Sequence, residues 1–139
     1  MEFDLLKGSF TKQDARNLNP LVLAFVGDGI YEIFVRAFIV SKNREMNVHK
    51  LHIKAISYVK AHDQSEFMMA IMDELTEEET NIYKRGRNAK SGTVPKNAKV
   101  SEYRTATGFE ALFGYLYLTE QKDRINYFLE MIVKIKTGA

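Results

Sequence analysis

The stretch Pro20-Leu-Val-Leu-Ala-Phe-Val-Gly-Asp-Gly-Ile-Tyr-Glu-Ile-Phe-Val-Arg-Ala-Phe-Ile-Val-Ser41 is apolar on almost every side. Asn19-Pro20 opens it as a helix opens, with a side-chain acceptor at the N-cap and then the residue that loses nothing at the first helical position. Leu21, Phe25, Gly29 and Ile33 form one stripe at helical spacing, and Val22, Val26, Ile30 and Phe34 widen it. β-Branched and aromatic residues are frequent but do not alternate with polar ones, so the helical period prevails over a strand. A helix this apolar belongs at the centre of a bundle or in an interface between two copies. The fold class that follows is all-α.

The flanking sequence agrees. Thr11 and Asp14 have the spacing of a cap for a short turn through Arg16. Beyond the polar break 42 to 47, Val48, Leu51, Ala55, Ile56 and Val59 mark a helix over 48 to 60. Asp63 with Glu66 opens another, with Phe67, Met68, Ile71 and Leu75 as its apolar positions. Thr76-Glu-Glu-Glu79 is a capping-box pattern for a helix reaching about Asn88. Ser91-Gly-Thr-Val-Pro95 reads as a loop. Ser101 is placed to cap a helix that buries Ala106, Phe109, Leu112, Phe113 and Leu116. A last helix spans Lys122 to Ile135, with Ile125, Phe128, Leu129, Ile132 and Ile135 inward. The sum is six or seven helices and no strand.

The 139 residues, 45% of them hydrophobic, suffice for one core, and two prolines and eight glycines leave no linker, so residues 1–139 read as a single domain. The absence of cysteine excludes disulfide frameworks, thiolate zinc sites and thiol catalysis. Met1-Glu-Phe-Asp4 lacks the basic-then-apolar order of a signal peptide, and no apolar run is long enough to cross a bilayer. A soluble cytoplasmic protein with no membrane partner is the expectation.

Acids stand where a core is expected. Asp28 and Glu32 lie one turn apart on the most apolar helix, and Glu110 lies inside Gly108-Phe-Glu-Ala-Leu-Phe-Gly-Tyr115. Carboxyl groups flanked by core residues are costly unless paired, protonated or bound to a metal. Arg36 follows Glu32 at i+4, so Glu32 reads equally as an ion pair or as a supporting site residue. Asp28 and Glu110 have no such neighbour. Gly27 and Gly29 flank Asp28, while Gly108 and Gly114 bracket Glu110. Mid-helix glycine costs about 1 kcal/mol against alanine, a cost that close approach of the two helices would justify. All-oxygen ligands of this kind suit Mg²⁺, with Mn²⁺ as a substitute. His49 and His52, three residues apart, make a weaker metal pair without a third ligand, and no nucleophile elbow or Walker loop is present.

Charge is unevenly spread. Residues 84 to 104 carry seven basic side chains against Glu102 alone, a net of +6 in a chain whose remainder is −4. Lys84, Arg85, Arg87, Asn88, Lys90, Lys96, Lys99 and Arg104 form a segment suited to a phosphate backbone. Tyr83 and Tyr103 border it, with helix packing their more economical use. A carboxylate site joined to a polyphosphate grip reads as a metal-dependent nuclease. The alternatives are a non-catalytic helical RNA-binding module, a phosphohydrolase of small nucleotides, and an adaptor whose acids make interhelical salt bridges.

Leu23-Ala-Phe-Val-Gly-Asp-Gly-Ile-Tyr-Glu32 and Thr107-Gly-Phe-Glu-Ala-Leu-Phe-Gly-Tyr-Leu-Tyr117 resemble the two acidic motifs of the ribonuclease III catalytic domain. Tyr83-Lys-Arg-Gly-Arg-Asn-Ala-Lys90 and Pro95-Lys-Asn97 resemble its short branch, mini-ribonuclease III. The resemblance implies a homodimeric, all-helical, Mg²⁺-dependent endoribonuclease that cuts double-stranded RNA in a valley between subunits, leaving 5′-phosphate and 3′-hydroxyl ends. Asp28 and Glu110 fall on the catalytic, metal-holding acids. Full-length relatives carry a Glu where this chain has Ala24 and an Asp where it has Thr107; both departures match the short branch. That branch also implies maturation of large-subunit (23S) ribosomal RNA precursor, with a large-subunit ribosomal protein presenting the substrate. No separate double-stranded RNA-binding domain is expected after the last helix.

Overall fold

Asn19 caps α2 (Pro20–Lys42) as its sequence requires, its side-chain oxygen accepting from the Leu21 N–H at 2.8 Å with Pro20 in the first turn. The computed structural model describes residues 10–90, Val94, Lys96 and 99–138. Among these, six further α-helices accompany α2: α1 (Lys12–Arg16), α3 (Val48–Val59), α4 (Ala61–Ile71), α5 (Glu77–Asn88), α6 (Val100–Leu118) and α7 (Lys122–Thr137). A 3₁₀ turn, Met72–Glu74, prolongs α4, and no strand occurs among the described residues. The all-α expectation holds. The Thr11/Asp14 and Thr76/Glu79 capping boxes are both formed. Apart from Val94, the loop expected over Ser91 to Pro95 lies outside the described residues.

Three local expectations are corrected. α4 begins at Ala61, so Asp63 sits in its first turn, where a carboxylate meets the positive end of the helix dipole without capping it. Extended Lys60 ends α3 and starts α4, and so forms the corner by itself. α6 likewise begins two residues early, with Lys99 at its N-cap and Ser101 inside the first turn. Ile135 is exposed rather than inward. Lys136, four residues after buried Ile132, is exposed too, but its side chain lies along the bundle, with the ammonium 5.5 Å from the Tyr58 ring centre and 4.0 Å from Asp63.

The buried axis of the bundle is α6, in which every residue from Ala111 to Leu116 is buried. α2 lies along it through Leu23, Gly27, Tyr31, Val35 and Ile39, an i, i+4 series. Tyr31 packs edge-on to Phe109 at 5.0 Å and donates its hydroxyl to the Tyr58 carbonyl at 3.0 Å. The other side of α2 stays uncovered: Phe25 is 80% exposed and Ile33 61%, with Val22 and Val40 beside them. Gly29 lies on this outer side with nothing within 4 Å of the Cβ it lacks. Gly29→Ala is therefore expected to stabilise the fold by about 0.5–1 kcal/mol, read from the denaturant midpoint.

One buried ion pair joins distant parts of the chain. Glu79, 2% exposed, receives Arg124 side-on, Nε to Oε2 at 2.8 Å and Nη2 to Oε1 at 2.7 Å. The guanidinium also donates to the Glu74 carbonyl and lies 4.7 Å from the centre of the Phe128 ring. Burial pushes the Glu79 carboxyl up, but the Arg124 and Thr76 hydrogen bonds outweigh it and hold the group below its ordinary range. Arg124→Met strands this carboxylate and is expected to cost about 3 kcal/mol at pH 7. A depressed carboxyl stabilises above its unfolded value of 4.5 and loses that contribution as pH falls. The measured penalty should shrink accordingly in acid denaturation series.

Candidate active site

Two helix backbones touch at the site. A Cβ on Gly27 of α2 would overlap the Glu110 carbonyl oxygen of α6 and stand 2.6 Å from its carbonyl carbon. A Cβ on Gly114 would overlap the Leu23 carbonyl oxygen and stand 2.9 Å from its carbon. Only residues without side chains let α2 and α6 meet this closely. Gly27 precedes Asp28, so the contact that admits Glu110 also brings in Asp28, as the glycine pattern suggested. On the far side of α6, a Cβ on Gly86 of α5 would stand 2.9 Å from the Gly108 Cα. The basic end of α5 thus packs within one turn of Glu110.

The carboxyl groups of Asp28 and Glu110 share a hydrogen bond. Asp28 is exposed, whereas Glu110 is half-buried among core residues. Burial first, then the hydrogen bond and charge of Asp28, push the Glu110 carboxyl up to about 9. The buried Gln64 side chain of α4 acts on Glu110 in the opposite sense. Glu32 accepts from Arg36 at 3.0 Å, so the structure forms the expected i, i+4 pair; its charge nevertheless raises Glu110 further. Among the described residues no group of three or more Asp, Glu, His or Cys is placed to hold a metal. His49 and His52 are exposed on α3. The acid pair fits a hard divalent cation: two carboxyl groups held side by side offer oxygen ligands and negative charge that such an ion neutralises. Mg²⁺ characteristically takes one or two carboxylates and fills its shell with water and substrate phosphate.

The basic segment divides by what its side chains touch. Lys84, Asn88, Lys90, Lys96, Lys99 and Arg104 are exposed. Arg87 lies 5.5 Å from the centre of the Tyr83 ring and donates from Nε to Asn88 Oδ1 at 3.1 Å. Arg85 instead donates to the carbonyls of Arg16 at 2.7 Å and Leu18 at 3.1 Å, tying the end of α1 to α5. Tyr83 is buried, so its ring packs helices together; Tyr103 is half-buried. Of the Pro95-Lys-Asn97 pattern, only Lys96 is among the described residues. Gln64 was not singled out by sequence. The signal was present, for it precedes Phe67, Met68 and Ile71 by three, four and seven residues and so shares their buried face.

Comparisons with known proteins now bear on this geometry. The model of the ribonuclease III domain matches residues 21–121. A mini-ribonuclease 3 of Clostridium tetani is 50% identical over 126 residues, covering 91% of this chain and 83% of that protein. One from a Thermoanaerobacter species is 48% identical, covering 90% and 87%. A crystal structure of a Fusobacterium nucleatum protein superposes with a TM-score of 0.80 at 32% identity, covering 88% of this chain and 98% of that one.

Proposed function

Since this chain belongs to the ribonuclease III family, on its mini-ribonuclease III branch, we propose that it matures the ends of large-subunit (23S) ribosomal RNA precursor with Mg²⁺ as its ion. The family itself makes the protein a divalent-metal-dependent endoribonuclease of double-stranded RNA that works as a dimer. The observation that carries the reading is the Asp28–Glu110 carboxyl pair, held by backbone contact between two core helices. We assign both residues as catalytic metal ligands.

A divalent cation bound there would supply positive charge against that developing on the phosphate during hydrolysis. What the chain contributes is placement. Glu110 is fixed on the most buried helix, and exposed Asp28 presents the pair to RNA. Preorganised groups need no rearrangement when charge develops, which is why rigid elements favour catalysis. The expected products carry 5′ phosphate and 3′ hydroxyl. The exposed apolar stripe of Val22, Phe25 and Ile33 supports a second copy as its cover. A presenting ribosomal protein, a single catalytic domain over residues 1–139 and a cytoplasmic setting complete the proposal; no described helix is long and apolar enough to cross a membrane.

The deciding experiment incubates the protein with a ribosomal-precursor duplex and with either strand alone, in Mg²⁺ or EDTA. Cutting of the duplex alone, in Mg²⁺ alone, is expected. A duplex bound but uncut in Mg²⁺ would favour the non-catalytic RNA-binding module instead.

The RNA grip is testable separately. We assign Lys84, Arg87, Asn88, Lys90, Lys96, Lys99 and Arg104 to the RNA backbone, with Arg85 contributing beside its structural bonds. Replacing Arg87 and Lys90 together by Gln should weaken different duplexes to a similar degree, because A-form RNA is read by shape and phosphate. The slope of log affinity against log salt should fall by about 1 for each lost contact. An unchanged slope would move the grip elsewhere. Arg85 is best left intact in this variant, since its loss also unties α1.

A further inference from the structure

Glu102 is the one acid in the basic segment 84 to 104, and it stands in the first turn of α6 between Lys99 and Arg104. A carboxylate there suits the helix, whose amino end carries partial positive charge. It suits an RNA grip less well, because a negative charge among phosphate-binding cations repels the RNA backbone. Another helix resolves the conflict. His62, in the first turn of α4, meets Glu102 through a hydrogen bond from Nδ1 to Oε2, across 40 positions of sequence. When protonated, the imidazole cancels the charge of the carboxylate it donates to.

The surroundings of His62 favour that proton. A cation in the first turn of a helix works against the dipole, so carboxylates must offset it. Glu102 faces it from α6, and Glu66, at 3.9 Å, and Asp63 face it from α4 itself. Lys136 of α7 lies 4.0 Å from Asp63. The Glu102 hydrogen bond and then the Glu102 charge push the imidazole above its ordinary value, with Glu66 and Asp63 adding to them against desolvation. The His62 side chain is 61% exposed, so its proton exchanges freely with solvent.

We propose that His62 is a pH-responsive charge balance for the RNA grip: its imidazolium covers Glu102, and loss of the proton to solvent uncovers a carboxylate beside the phosphates and weakens duplex binding. The His62–Glu102 pair then passes from neutral to a charge of −1. This rests on the assignment of residues 84 to 104 to the RNA backbone and adds α4 to that surface.

The test measures duplex affinity in EDTA, which withholds the metal, at about pH 6 and about pH 9. Full-length wild type, His62→Lys, His62→Gln and Glu102→Gln are compared, with melting recorded for each. Asp28, Glu32 and Glu110 are the same in all four, so their share cancels. Lysine keeps Glu102 covered at both pH values, and glutamine at 62 leaves it uncovered at both. Wild type is expected to lose about 3-fold more affinity than His62→Lys as pH rises, the scale on which one phosphate contact acts. His62→Gln should bind about 3-fold more weakly than wild type at the lower pH, and Glu102→Gln about 3-fold more tightly at the higher. A pair that only ties α4 to α6 would change melting and leave these affinities alone. A wild-type pH profile in folded His62→Gln would overturn the proposal; if that variant fails to fold, a Glu102→Gln protein that binds no tighter than wild type at about pH 9 would do so. The Arg87, Lys90 double variant separates the two levels. If it binds like wild type, the grip assignment fails and His62 with it. If it binds weakly while the His62 variants follow wild type, only the role of His62 falls.

Discussion

Glu110→Gln is expected to lower duplex cleavage by at least about 10³-fold while making the metal-free protein harder to unfold at pH 8. The first effect follows from its assigned role, and Asp28→Asn should share it. The second follows from linkage. Burial, with Asp28 alongside, pushes the folded carboxyl up to about 9, whereas an unperturbed one titrates at 4.5. The folded state therefore keeps a proton that the unfolded chain releases. That preference stabilises the fold in full below the unfolded value and is lost as pH rises through about 9. Glutamine mimics the protonated acid at every pH. In EDTA the variant and the parent should melt together near about pH 5, and the variant should melt higher at pH 8, by about 4 °C for each kcal/mol recovered. Near-parental turnover at saturating Mg²⁺ by either folded variant would remove the catalytic assignment, and melting curves that keep the same separation at both pH values would remove the linkage.

Gly27→Ala should be the most damaging small substitution in the core. A methyl there meets main chain, the carbonyl of Glu110 and, at 2.9 Å, the amide nitrogen of Gly114, and main chain in the middle of a buried helix cannot step aside. The helices must part. We expect a loss of at least about 4 kcal/mol, beyond the usual range for overpacking and a large share of a typical domain's stability. Any folded remainder should cleave poorly, because Glu110 travels with α6. Gly29→Ala, two residues along the same helix, is the control, being expected to stabilise. Chemical denaturation of both variants decides the matter, and a Gly27→Ala protein as stable as the parent would refute the packing argument.

Features announced by local pattern were legible in the sequence. Asn19-Pro20 and the two capping boxes are formed by neighbouring residues, so their chemistry is complete within a few positions. Asp28 and Glu110 stood out because each interrupts an apolar helix, and the flanking glycines indicated the contact between them. Long-range partners were not legible. Glu79 and Arg124 are 45 residues apart, and either alone reads as a solvated charge. Arg85 reads as one more cation in a basic block until the end of α1 arrives beside it. Gln64 hid among Asp63, Ser65 and Glu66, since a local run of polar letters conceals which one turns inward. The apolar circumference of α2 was evident, but sequence could not say that Leu23 and Tyr31 would be covered within one chain while Phe25 and Ile33 would not.

The contact of α2 with α6 at Gly27 and Gly114 makes the separation of the two acids a property of main chain. Main-chain geometry is common to all amino acids, so it acts as a ruler that exchanges among the surrounding side chains do not reset. Drift at Leu112 or Ile39 is then free to alter how firmly the bundle holds together while the spacing of the two acids stays constant. Robustness and turnover become separately adjustable traits, and a lineage can be tuned for heat or cold without rediscovering its chemistry, provided that the two glycines remain.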